Sequence, residues 1–150
     1  MKKNILTGIA ALLLLSSIAI AQTTTSTAVI GKLYTKAQAD QIYGPVLQSI
    51  PISTSTLSAL AAKTPNYIMF NIINGKLAIA NSARMVLSGA MVSLSASQQM
   101  KVFSTSIVNQ LIKQGGASTT TIELRANNTL TVTNGDNTLE MAQACPPWCF

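Results

Sequence analysis

The chain contains no histidine, and this absence excludes more chemistry than any other feature of its composition. Catalysis by a Ser-His-Asp or Cys-His arrangement needs an imidazole to move the proton. Histidine is also the commonest side-chain ligand of metal ions. The sequence also lacks a phosphate-binding loop, a dinucleotide-binding glycine motif and a nucleophile elbow. We therefore predict no catalytic residue, no metal site and no cofactor.

Charge is scarce as well, because only 9% of the residues are charged. Ten basic residues oppose four acidic ones, which gives a net charge of +6. Proteins that bind nucleic acids usually cluster their basic residues on one face or in one run. Here, after Lys2 and Lys3, the basic residues are scattered singly: Lys32, Lys36, Lys63, Lys76, Arg84, Lys101, Lys113 and Arg125. We predict no nucleic-acid partner, and so few charges leave self-association open because copies repel each other weakly.

The longest apolar run stands at the start of the chain and has the form of an export signal. Lys2 and Lys3 precede a mostly apolar stretch over residues 5–18, and residues 19–21 read Ala-Ile-Ala, a typical cleavage site. An uncleaved membrane anchor is the alternative, but a spanning helix needs about 20 apolar residues. We predict a cleaved bacterial signal peptide over residues 1–21 and no membrane span after it. The protein would then be exported to the periplasm, the outer surface or the medium.

The remaining residues divide into an arm, one domain and a short tail. Residues 22–34 begin with a run of hydroxyl side chains that has nothing to bury, which predicts a flexible N-terminal arm. Residues 35–144 are enough for one domain with its own core. Residues 145–150 form a separate C-terminal tail.

Two short helices are predicted at the start of this domain. Thr35 followed by Gln38 matches a capping box, and Gly44 with Pro45 would end that helix. A second helix is predicted from about residue 56 to residue 63, ended by the proline at 65. Its apolar face would consist of Leu57, Leu60 and Ala61.

Turn residues between alternating apolar positions predict a hairpin over residues 67–80 and a β-meander over residues 119–142. Asn74-Gly75 favours a two-residue type I′ turn. That turn pairs Ile72 with Leu77 and Phe70 with Ile79. Residues 84–88 are a candidate third strand. In the meander, a three-residue loop over 126–128 with one asparagine at positive φ, then a Gly135-Asp136 turn, keeps one face apolar. The predicted pairs are Leu124 with Leu130, Ile122 with Val132, Val132 with Leu139, and Leu130 with Met141.

The main helix is predicted over residues 96–114. Ser95 could cap it, Gly115-Gly116 would end it, and apolar residues recur at helical spacing. The stripe consists of Met100, Phe103, Ile107, Val108, Leu111 and Ile112. The predicted fold class is therefore α+β, an antiparallel sheet of five to six strands with this helix packed on one face.

Residues 33–43 read Leu-Tyr-Thr-Lys-Ala-Gln-Ala-Asp-Gln-Ile-Tyr, in which two tyrosines bracket a Lys-x-x-Ala-Asp core. This segment resembles short segments that recur in phage tail fibres and adhesin stalks. The resemblance covers these eleven residues alone. It implies no activity, and favours an extracellular assembly role.

Both cysteines lie in the last six residues, Cys145-Pro-Pro-Trp148-Cys149-Phe150. In an oxidising compartment they are predicted to form a small disulfide ring. Three interpretations stay open: a clasp that packs Trp148 onto the sheet, a presented recognition tip carrying Trp148 and Phe150, and a redox or soft-metal site. The third lacks ligands within one chain, because two thiolates leave a zinc or copper site incomplete.

These observations predict a small exported bacterial protein without enzymatic activity, acting as a binding or assembly module in the periplasm or at the cell surface. Its contact elements would be the disulfide-closed tail and the N-terminal arm. The partner would be a protein or surface that the sequence does not name, or a second copy. The alternative is a thiol-redox or soft-metal-handling protein that uses Cys145 and Cys149.

Overall fold

The computed structural model describes residues 28–88 and 92–145, and the predicted signal peptide lies outside them. Within these residues the chain forms nine strands and three helices. In chain order they are β1 (Lys32–Thr35), α1 (Lys36–Tyr43), β2 (Val46–Ser53), α2 (Thr54–Ala61), β3 (Tyr67–Ile73), β4 (Lys76–Asn81), β5 (Met100–Ser104), α3 (Thr105–Gly115), β6 (Thr119–Arg125), β7 (Leu130–Asn134), β8 (Asn137–Glu140) and β9 (Gln143–Cys145).

The strands form two antiparallel sheets. The first sheet has the order β1-β8-β7-β6-β2, and the second has the order β4-β3-β5-β9. Helix α1 links the two edge strands of the first sheet and contacts β1 and β8, while α3 packs against β7 and β8. The chain is therefore α+β, with antiparallel sheets and a helix packed on a sheet, as its sequence predicts.

The predicted registers of the hairpin and of most of the meander are confirmed. Ile72 pairs with Leu77 and Phe70 with Ile79 across a turn in which Asn74 has φ 51°. In the meander, the observed pairs are Leu124 with Leu130, Ile122 with Val132, and Val132 with Leu139. Asn128 has φ 62°, which is the positive-φ asparagine that the three-residue loop requires.

One predicted pair of the meander does not form. The ladder between β7 and β8 includes no pair of Leu130 with Met141. Met141 instead has φ 65°, follows the end of β8 and is 54% exposed. The left-handed backbone at Met141 turns the chain away from the first sheet, so that it can enter β9 of the second.

The core lies on both faces of the second sheet. Alternate residues of β3 point to opposite faces, and Ile68 and Met69 are both fully buried. Ile68 belongs to the larger cluster, which fills the space between the sheets and includes residues of α2 and α3. Met69 belongs to a smaller cluster on the other face, with Met100, Val102 and Cys145.

The predicted helix over residues 96–114 is wrong in its first half. Met100–Ser104 is strand β5, which lies between β3 and β9 in the second sheet. Met100 and Val102 contribute to the smaller cluster and Phe103 to the larger one, so this stretch has the period of a strand. Only α3 follows the helical stripe, and Val108 and Leu111 are its buried apolar residues.

The single sheet of five to six strands is also corrected, since nine strands divide between two sheets. Strand β2 went unpredicted although its residues alternate between half-buried and exposed along its whole length. Residues 84–88 contribute one isolated bridge, Ala80 with Val86, rather than a strand. The last part of the predicted flexible arm over residues 22–34 belongs to the fold, because Ile30 is buried and β1 begins at Lys32. Residues 22–27 lie outside the described residues.

Both short helices exist, and their caps explain their starts. Thr35 and Gln38 form the predicted capping box of α1, and Gly44 ends it. Helix α2 begins two residues earlier than predicted, because the Ser53 side chain accepts a hydrogen bond from the Thr56 amide. Its buried face is the predicted one, Leu57, Leu60 and Ala61.

Candidate functional site

The predicted contact element, the C-terminal tail, follows a residue that is buried in the fold. Cys145 is the last residue of β9, is fully buried and pairs with Met100 of β5. Its sulfur is in a disulfide. The predicted partner Cys149, with Trp148 and Phe150, lies outside the described residues, so the pairing and the placement of the aromatic rings stay predictions. The tail therefore begins at a point that the second sheet holds fixed.

Arg84 fastens this point to the loop that precedes β5. One nitrogen, Nη1, donates to the Cys145 carbonyl at 3.0 Å and lies 3.5 Å from its sulfur. The other, Nη2, donates to the carbonyl oxygens of Ser95 at 3.0 Å and Gln98 at 2.7 Å. Arg84 also has φ 62°, a backbone conformation that costs a non-glycine residue about 1–2 kcal/mol. Guanidinium bonds to three carbonyl oxygens offset that cost.

Sequence reasoning missed Arg84, and the sequence gives only one hint of it. Arginine occurs in the described residues at two positions, 84 and 125, and both bind backbone or carboxylate oxygens in the folded chain. In a chain with so few charges, an arginine inside a polar loop was the available signal.

The beginning of the described chain reaches the same strand, β5. Ile30 and Ser104 exchange two hydrogen bonds: the Ile30 amide donates to the Ser104 hydroxyl at 2.8 Å, and the Ser104 amide donates to the Ile30 carbonyl at 2.9 Å. The Tyr67 hydroxyl donates to the Ala28 carbonyl at 3.0 Å. The two predicted contact elements, the arm and the tail, are thus attached to one strand.

A charge cluster lies between α1 and the first sheet, buried at Arg125 and Glu123 and open to solvent at Asp40. The fully buried Arg125 donates from Nη2 to Glu123 at 2.8 Å and from Nη1 to Asp40 at 2.6 Å. The Thr131 and Thr133 hydroxyls donate to the same Glu123 oxygen at 3.1 and 3.0 Å. Because its charged groups bind one another, we interpret the cluster as the fastening of α1 to the sheet rather than as a binding site.

Two pKa values shift around α1. The Arg125 guanidinium, followed by the Lys36 ammonium, lowers the pKa of Asp40 below its ordinary 3.8. Burial, followed by the Tyr34 hydroxyl and the charge of Glu140, raises the pKa of Tyr43 above its ordinary 10.0. The rings of Tyr34 and Tyr43 meet edge to face, with centroids 5.7 Å apart. The segment that resembles fibre and stalk segments therefore forms a strand and helix that hold each other.

Over residues 28–88 and 92–145, no group of three or more cysteine or acidic side chains is placed to hold a metal ion. No helix in that same part of the chain is long and apolar enough to cross a membrane.

Comparison with protein-family models, with curated proteins and with solved structures found no match to this chain.

Proposed function

We propose that this protein is a small exported bacterial protein without enzymatic activity, which binds a protein or surface partner, or a second copy, through its C-terminal tail. It would act in the periplasm or at the cell surface. The observation that carries the proposal is the buried, fastened position of Cys145 at the end of β9.

A fixed starting point favours binding because it reduces the freedom that a contact must remove. Ordering a flexible segment on binding costs about 0.5–1.5 kcal/mol for each immobilised side chain. Arg84 and the β5–β9 ladder fix the backbone just before the tail. Tryptophan is among the residues enriched at binding hot spots, and the tail holds the only one in the chain.

The redox or soft-metal alternative is less well supported by the surroundings of Cys145. Thiol exchange needs access to a sulfur atom, and Cys145 is fully buried. Metal binding by the pair would need further ligands, for which the described residues offer no candidate group. A structural disulfide, resistant to mild reductant in the folded protein, agrees better with this burial.

A photo-crosslinking experiment tests the tail as the contact element. A benzophenone amino acid replaces Trp148 in the full chain, and a control carries it at Met85, which is 60% exposed. After irradiation in cells, we expect crosslinked products from position 148 and none from position 85. Equal products from both positions, or none from position 148, would contradict the proposal.

A second variant separates binding from stability. Replacing Trp148 and Phe150 by alanine keeps both cysteines and leaves Cys145 in place. With the benzophenone amino acid moved to Pro147, we expect the crosslinked products of the native tail to disappear in this double variant, while its urea midpoint stays equal to that of the native chain. A large fall in the midpoint would identify the aromatic residues as part of a structural clasp instead.

A further inference from the structure

A small cleft opens between the two sheets, beside strand β5. Its volume is about 210 Å³. Two leucines of the first sheet, Leu124 and Leu130, face each other across the β6–β7 ladder and form its apolar side. Lys101 of β5 lies on the other side, beside Phe70 of β3. The cleft is thus built by both sheets and by the loops at their ends.

The polar groups of this cleft are unused by the fold. In the described residues, the Lys101 ammonium has no carboxylate within 4.0 Å and makes no hydrogen bond. The side-chain amides of Gln98, Gln99 and Asn128 likewise make no hydrogen bond within that part of the chain. Four side chains therefore line one cleft with free donors, and three of them also offer an acceptor.

Asn71 differs from these four, because the fold uses its amide. Its nitrogen donates to the Gln99 carbonyl at 2.6 Å, and its oxygen accepts from the Ile72 amide at 2.7 Å. Asn71 thereby holds the backbone at Gln99. The Gln98 carbonyl is held in turn by Arg84 at 2.7 Å. The glutamines are placed by bonds to their backbone, which leaves their side chains available.

We propose that this cleft binds one acidic sugar ring, a hexuronic acid unit, with its carboxylate at Lys101. Lys101 is the only charged side chain among the residues that line the cleft, so a single negative charge is matched. A carboxamide both donates and accepts, as a sugar hydroxyl does. The half-buried Leu124 offers an apolar surface for the C–H groups of the ring. The volume is below the roughly 300 Å³ at which pockets for drug-sized ligands begin.

The choice of ligand rests on the proposed export of the protein, and not on the contact proposed for the tail. Lys101 in the second sheet and Asn128 in the β6–β7 loop lie on the walls of the cleft. A protein exported to a cell surface meets acidic polysaccharides there, so one ring in the cleft would attach the domain to a longer chain.

An NMR titration of the full, isotope-labelled chain tests the proposal with D-glucuronate, D-glucose and acetate. We expect glucuronate to shift the amide signals of Lys101, Gln98 and Asn128, with binding about ten-fold tighter than for either glucose or acetate. Acetate that binds as tightly as glucuronate would overturn the sugar assignment. Glucuronate that shifts no cleft signal would overturn the site.

Three variants make the test specific. Lys101→Gln keeps the length of the side chain and removes its charge, and should weaken glucuronate binding about ten-fold. Asn128→Gly removes an amide while tolerating the positive φ of 62°, and should weaken it several-fold. Lys63→Gln removes an exposed charge outside the cleft and should leave binding unchanged. Equal binding by the Lys101 and Lys63 variants would contradict the role of Lys101.

Discussion

Arg84 shows at the scale of one residue how a strained backbone is kept. Its φ of 62° is unfavourable for a residue with a Cβ, yet its guanidinium reaches the carbonyl oxygens of Cys145, Ser95 and Gln98. These bonds connect the segment around Arg84, the loop that holds Ser95 and Gln98, and the end of β9 at Cys145. The residue thus joins the base of the tail to the loop before β5.

Removing this guanidinium should destabilise the protein. Arg84→Gln removes three hydrogen bonds from a charged group, each worth about 1.5–3 kcal/mol, although the Ser95 carbonyl keeps its bond from the Gln98 amide. Partial solvent access reduces the sum, so we expect a loss of about 2 kcal/mol in the free energy of unfolding. Urea denaturation measures it, with Met85→Ala, at the exposed neighbouring position, expected to change stability by under about 0.5 kcal/mol. Equal midpoints for the two variants would remove Arg84 from this role.

The carboxylate of Asp40 provides a pH test at the same scale. Its pKa is lowered in the folded state, so its contribution to stability is complete above the ordinary value of 3.8. That contribution is lost as the pH falls below 3.8 through the folded pKa. Asp40→Asn removes the charge and should therefore be less stable than the native chain at neutral pH.

The difference between the two proteins should shrink only in acid. Denaturation curves of both, measured from neutral pH down to about pH 2, give the comparison. Gln41→Asn, at the next and exposed position of α1, is the matched control and should follow the native curve. A difference that stays constant through pH 3.8 would show that the charge of Asp40 contributes nothing.

At the scale of elements, helix α3 ends in two glycines, Gly115 and Gly116, that are required for different reasons. A Cβ on Gly115 would collide with the backbone carbonyl and side-chain oxygen of Asn134. A Cβ on Gly116 would meet no atom within 4 Å, but this residue has φ 66°. One glycine is needed for space and the other for its backbone conformation.

The two alanine variants should therefore differ in size of effect. Gly115→Ala should lower the free energy of unfolding by about 3 kcal/mol, because the added Cβ meets Asn134. This loss exceeds the gain of about 1 kcal/mol that alanine has over glycine in a helix. Gly116→Ala should lose about 1 kcal/mol from backbone strain alone. Thermal or urea unfolding gives both values. A Gly115→Ala protein as stable as the native chain would mean that α3 and β7 can separate without cost.

Which elements could be predicted follows from how local their causes are. The β3–β4 hairpin depends on Asn74-Gly75 between its own strands, and α1 depends on Thr35 and Gln38 within its first turn. Strand β5 was missed because the spacing of Met100 and Phe103 fits a helix as well as a strand. Its pairing with β3 decides the matter, and β3 lies far away in the sequence.

The candidate sites also differ in how local their causes are. Cys145 could be selected from the sequence because both cysteines stand in one short tail. Arg84 and the cleft around Lys101 could not, because each depends on loops that meet only after two sheets have formed. Strand β2 could have been predicted from the sequence, because half-buried and exposed positions alternate along it and Pro51 suits an edge strand.

At the scale of the whole molecule, processing and oxidation should be visible in one measurement. The intact mass of the protein recovered from its native compartment should correspond to residues 22–150, lighter by the two hydrogen atoms of a disulfide. Mild reductant should leave Cys145 unalkylated in the folded state, because it is fully buried. A mass that includes residues 1–21, or ready alkylation without denaturant, would contradict export with cleavage or the structural disulfide, respectively.

The order of strands has a consequence for the time at which the protein can fold. Strand β1 pairs with β8, so Lys32 can pair only after Glu140 has been synthesised. Strand β5 likewise pairs with β9 only after Cys145 has been added to the chain. Neither sheet can close while the C-terminal strands are still in the ribosome, and contacts so distant in sequence form slowly. The emerging chain therefore stays extended longer than a chain of local contacts would. An export channel that accepts only unfolded polypeptide would have time to take it.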